Sequence, residues 1–162
     1  MKRLNHILAV LLVVGLAFGC RLTPSLTASA QIGTWVAEGS GRDHFKLSEI
    51  QDLPAWTSLY VFAPYTPTST IRQKLGFEWR DAKRFSLDTR DDIHLAVFIS
   101  GTNVARVEEW GRGQFDCSSV LTGHALLAST VIHIDRTKAV PTLTIAEPDH
   151  LSQQPPRDSV RP

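Results

Sequence analysis

The apolar residues of this chain fall into short runs, and most of those runs have a period of two. Ile93, Leu95, Val97 and Ile99 alternate with His94, Ala96 and Phe98. The turn-forming cluster Ser100-Gly101-Thr102-Asn103 follows, and then Val104 to Trp110. Two period-two runs around such a cluster predict a β-hairpin. Val131–Ile134 and Leu143–Ile145, separated by Asp135-Arg136-Thr137-Lys138, predict a second hairpin, with Pro141 placing its last strand at a sheet edge. Leu59–Phe62 reads as a further strand ended by Pro64, and Ile32–Val36 as another. Three segments predict short helices. Thr68-Ser69 caps one that carries Ile71 and Leu75 on one face and stops at Gly76. Phe45–Leu53 and Ser118–Ser129 are the other two. The expected class is α+β: a mainly antiparallel sheet of four to six strands, with two or three short helices on one face.

A different pattern precedes these runs. Lys2 and Arg3 are followed by an uncharged apolar stretch of 13 residues, Ile7–Gly19. As a helix it is about 20 Å long, short of the roughly 30 Å hydrocarbon core of a bilayer. It reads as the apolar region of a signal peptide. Leu16-Ala17-Phe18-Gly19-Cys20 closes the stretch and resembles the lipobox of bacterial prolipoproteins. The resemblance implies cleavage before Cys20, acylation of that cysteine including palmitate, and attachment to a membrane through the acyl chains. Arg21 stands where inner-membrane lipoproteins typically carry Asp, so the resemblance implies the periplasmic face of the outer membrane. A rival signal is Ala28-Ser29-Ala30 before Gln31, an A-x-A site whose cleavage would release a soluble periplasmic or secreted protein.

These features divide the chain into a signal peptide at 1–19, a Ser/Thr/Pro-rich flexible tether at 20–31, one domain at 32–147 and a Pro-rich disordered tail at 148–162. The 162 residues, 43% hydrophobic and 20% charged, suit one globular domain. Net charge is +1; losing Lys2 and Arg3 with the leader lowers the basic residues from 17 to 15 against 16 acidic ones. Such a balance argues against a nucleic-acid partner, because binding phosphates needs a basic surplus. With Cys20 acylated or removed, Cys117 is left without a disulfide partner in the chain.

Thr70-Ile71-Arg72-Gln73-Lys74-Leu75-Gly76, followed by the hairpin of Leu95-Ala96-Val97-Phe98 and Val104, resembles the SmpA/OmlA-type small outer-membrane lipoproteins over about 45 residues. That resemblance implies an accessory role in outer-membrane protein assembly.

Catalytic chemistry has one candidate. Asp116-Cys117-Ser118-Ser119 resembles the nucleophile motif of NlpC-type cell-wall cysteine peptidases, which implies a Cys117 nucleophile with a downstream histidine as base. His124 and His133 are the candidates for that base, although His124 lies two helical turns away if the segment is helical. No metal-ligand spacing and no phosphate loop is present, so neither metal nor cofactor is expected. The four tryptophans, Trp35, Trp56, Trp79 and Trp110, read first as core anchors. Trp79 and Trp110 are flanked by Glu and Arg, as an exposed aromatic would be; with Arg112 and Tyr65 they form the candidate binding set. The expected function is a non-enzymatic envelope lipoprotein that binds an envelope protein, as an inhibitor or immunity protein or as an assembly accessory. The alternative is a cell-wall cysteine hydrolase.

Overall fold

A computed structural model describes residues 26–37, 41–117 and 123–146. The signal peptide, Cys20, the first half of the expected tether and the C-terminal tail lie outside the described residues.

The expected central hairpin is present as β3 (Ile93–Ser100) and β4 (Asn103–Gly111). Gly101 turns it with φ 61°, a backbone angle that suits glycine. A register shift between Phe98 and Ile99 pairs Ile99 with Val104 and Phe98 with Arg106, leaving Ala105 as a bulge. β2 (Ser58–Phe62) pairs antiparallel on the other side of β3, giving a three-stranded sheet in the order β2-β3-β4. β1 (His44–Lys46), β5 (Asp116–Cys117), β6 (Val131–Asp135) and β7 (Thr142–Ile145) form a second sheet in the order β1-β6-β7-β5. All its pairs are antiparallel except β5 with β7. The class is α+β as expected, with the strands divided between two sheets.

Both faces of the three-stranded sheet are buried, which is why every residue of β3 up to Ile99 is buried. Alternate side chains of a strand point to opposite faces. Leu59, Val61, Ala96, Phe98 and Trp110 pack in one cluster with helix α1 (Ala28–Ala37) and with Phe45, Ile132, Ile134 and Leu143 of the four-stranded sheet. On the opposite face Phe62, Leu95, Val97 and Ile99 pack with Ile71 of helix α2 (Thr68–Leu75) and with Ala82 and Leu87. Ala82 lies on a 3-10 segment, Arg80–Phe85, and Leu87 on a second, Leu87–Thr89. The two α-helices therefore lie on opposite faces of this sheet, not on one.

Five local expectations are corrected. Ile32–Val36 is helix, not strand: Ala28, Ile32 and Val36 recur every four residues and all are buried. The helix begins at Ala28, so Ala28–Gln31 belong to the domain and not to the tether. Phe45–Leu53 is no helix but β1 followed by a 3-10 turn at Leu47–Glu49, because the Leu47 and Ser48 amides bond the carbonyls of Thr130 and Ala128 across the chain. Of Ser118–Ser129, residues 118–122 lie outside the described residues. The remainder is extended at Leu126, which exchanges two 2.8 Å backbone bonds with Leu59 beside β2. Finally, β7 is interior rather than an edge. Pro141 precedes its first residue, so the missing proline N–H costs no ladder bond, and the Pro141 carbonyl accepts from Asp116 at 2.8 Å. α2 stands as expected, closed by Gly76 at φ 77°.

Phe98 is fully buried and meets Trp56 edge-on with ring centroids 5.5 Å apart. Phe98→Ala removes one of the largest fully buried side chains of this cluster and is expected to destabilise the domain by about 3–5 kcal/mol. A urea unfolding curve measures it; a loss below about 1 kcal/mol would mean that the two sheets do not share this core.

Candidate functional site

A concavity of about 510 Å³ runs along β4. Six consecutive residues, Thr102–Val107, line one side of it. Consecutive residues of a strand present both faces of the pleat, so the groove follows the strand's backbone edge. β4 ends the three-stranded sheet and no strand pairs with its outer side among the described residues. Phe77, Trp79 and Phe85 form the aromatic wall opposite, with Trp79 and Phe85 tilted together at 5.5 Å. Trp79 is held half-buried because it leads into the 3-10 segment whose Ala82 enters the core. Glu78, Asp81, Arg84 and Arg106 ring the mouth in balanced charge. A volume of this size, half apolar and bordered by an open strand edge, suits an extended peptide segment.

Behind the groove, on the core face of β4, is a buried carboxylate. Glu108 is 7% exposed. Its Oε1 accepts from the Ala28 amide at 3.1 Å and from Arg106 Nε at 2.7 Å. Its Oε2 accepts from the Ser29 amide at 3.0 Å and from Trp110 Nε1 at 3.3 Å. The first amides of a helix have no partner within it, and a negative group there also meets the positive end of the helix dipole. At the other end of α1 Arg136 donates to the carbonyls of Val36 (3.3 Å) and Trp35 (3.0 Å), and to Arg42 at 2.7 Å.

A third polar cluster joins the two sheets. His94 of β3 is 3% exposed, and its Nε2 lies 2.8 Å from Asp116 Oδ1 of β5. The Cys117 amide points at the same nitrogen from 3.2 Å. Arg112 Nε donates to the same Asp116 oxygen at 3.1 Å. Partial burial pushes the Asp116 carboxyl up, but the His94 and Arg112 hydrogen bonds outweigh it and hold the group below its ordinary range. Burial pushes His94 below its ordinary value; Asp116 opposes that shift and Arg112 adds to it. The ionised carboxylate calls for a proton on Nε2, and the buried Nδ1 is left without a hydrogen-bond partner among the described residues.

The sequence candidates are scattered by the fold. Trp79 lines the groove; Tyr65 and Arg112 do not. Trp110 is a core residue, 2% exposed and edge-on to Phe115, so its charged neighbours did not mark an exposed ring. Period two explains this: Glu109 faces away from the core cluster while Glu108 and Trp110 face it. Tyr65 is 59% exposed, at φ 60°, on the loop after β2. Cys117 is buried, and burial, then the Asp116 charge, push its thiol up, the opposite of an activated nucleophile. His124 and His133 are exposed, and the histidine that reaches the Cys117 backbone is His94. Among the described residues no group of three His, Cys, Asp or Glu is placed to hold a metal ion. Glu108, Arg136 and His94 were missed by sequence reasoning. The one available signal was strand alternation, which puts Glu108 on the inward face once Trp110 is inward and places His94 opposite Trp110.

Comparison with family models, curated proteins and solved structures gives no match to this chain.

Because His94 is harder to protonate in the folded than in the unfolded chain, its contribution to stability is complete above pH 6.5 and is lost as pH falls below it. Asp116, held below 3.8, adds a further loss at more acid pH. Urea midpoints are expected to decline from pH 7.5 to pH 5, and His94→Gln should flatten that decline. An equal slope in the variant would show that other groups set it.

Proposed function

We propose that the chain is a cell-envelope lipoprotein, acylated at Cys20, whose domain binds an extended segment of another envelope protein in the groove along β4. The observation that carries the binding reading is the groove itself: the open edge of β4 from Asn103 to Val107 beside the aromatic side chains of Phe77, Trp79 and Phe85. The edge supplies backbone donors and acceptors, and the wall supplies apolar area for one large side chain of the incoming strand. The address rests on the lipobox resemblance at Leu16–Cys20. Among the described residues no helix is long and apolar enough to cross a membrane. Inhibition of an envelope enzyme and service in outer-membrane assembly, the role that the SmpA/OmlA resemblance implies, both fit this mode of binding. The buried Cys117 thiol gives the hydrolase reading no support.

Crosslinked capture from intact envelopes, followed by mass spectrometry, is the test. Trp79→Ala is expected to lower recovery of the captured protein at least tenfold while leaving the melting temperature within a few degrees. Unchanged recovery would exclude the groove. Cys20→Ser is expected to abolish palmitate labelling and move the protein out of the membrane fraction; labelling that persists would exclude the anchor.

A further inference from the structure

The run Ala28-Ser29-Ala30 has the form of a signal-peptidase site, yet the fold uses all three residues. Ala28 is fully buried and stacks one turn below Ile32 in the core. The Ala28 and Ser29 amides end on Glu108 at 3.1 and 3.0 Å. The Ala30 amide donates to Thr27 Oγ1 at 3.1 Å, and the Gln31 amide to the Thr27 carbonyl at 3.1 Å. Three of the amides that a helix leaves open at its start are thereby satisfied, two by a distant buried carboxylate and one by the Thr27 hydroxyl, while the Thr27 carbonyl takes the first bond of the helix proper from Gln31. Leu26 also takes part, its carbonyl accepting from Gln31 Nε2 at 3.1 Å.

Cleavage after Ala30 would remove Thr27, Ala28 and Ser29 together. Glu108 would lose two of its four donors, and a carboxylate set into the fold with fewer donors than it has now is a costly defect. The core would lose Ala28, and α1 would lose its first turn and its cap.

We infer that the mature protein retains Ala28-Ser29-Ala30 as a latch that docks α1 onto β4, and that any removal of the leader takes place upstream of Thr27. This inference rests on the reading of residues 1–19 as an export signal only for there being a cleavage at all.

Tryptic mapping of the full-length chain, expressed in a bacterial envelope, tests it directly. Trypsin cuts after Arg21 and Arg42, and no Lys or Arg lies between them. The expected product is the intact peptide Leu22–Arg42. A peptide beginning at Gln31 in the folded, accumulated protein would overturn the inference. An unmodified Leu4–Arg21 peptide beside an intact Leu22–Arg42 would leave the latch standing and remove the export reading instead. A second measurement covers the case in which a shortened product is degraded unseen. Ser29→Pro removes one latch amide in the first helical turn, where no bond inside the helix is lost, and Glu108→Ala removes the acceptor. In the full-length chain Ser29→Pro is expected to lower the melting temperature by several degrees and Glu108→Ala by about 10 °C. Wild-type melting in both variants would show that the latch holds nothing, and would overturn the inference.

Discussion

A carboxylate removed from water must be surrounded by donors, and Glu108 finds four of them in two distant parts of the chain. Two come from its own strand, at Arg106 and Trp110, and two from a helix 80 residues earlier. The ten-residue α1 is too short to be stable alone. It is held at its positive end by Glu108 of the three-stranded sheet and at its negative end by Arg136, which follows the strand β6 of the four-stranded sheet. Each charge has the sign the helix end calls for. The helix therefore acts as a strut whose two ends belong to different sheets, and the apolar stripe Ala28-Ile32-Val36 faces the core between them.

The His94–Asp116 contact does a similar task two residues further along the same hairpin, where His94 pairs with Trp110. Together the two polar centres fix how one sheet lies on the other, a matter that apolar packing alone leaves loosely specified. Glu108 has four donors for its two oxygens, whereas His94 Nδ1 finds no partner among the described residues. Among the described residues the two centres thus differ in kind: one is a closed set of bonds, the other leaves a nitrogen unanswered.

The hairpins were legible because alternation and turn residues are local signals, and β2, β3, β4, β6 and β7 were each located from them. α2 was legible from its periodic pair and from Gly76. What escaped was decided by distant partners. Ile32–Val36 has the apolar density of a strand, and only the burial of Ala28 one turn earlier settles it as helix. β1 exists because β6 is there to pair with it. Of the candidate site, Trp79 was found from its charged neighbours. The same neighbours misled at Trp110, because Glu109, next to it in sequence, points to the opposite face of the strand. The wall of the groove was not legible, since Phe77, Trp79 and Phe85 come together only through the 3-10 segment that seats Ala82.

The start of α1 at Ala28 has a bearing on reach. With Cys20 in the membrane as proposed, Arg21–Thr27 span at most about 25 Å. Arg106 both bonds the carboxylate that receives the helix start and borders the groove, so the root of the tether and the groove share one end of the domain. On that proposal, a leash of that length would keep the groove close to the bilayer surface. The proposed search for a partner would then be nearly two-dimensional, confined to segments presented within a few nanometres of the lipid, whatever their concentration elsewhere in the compartment.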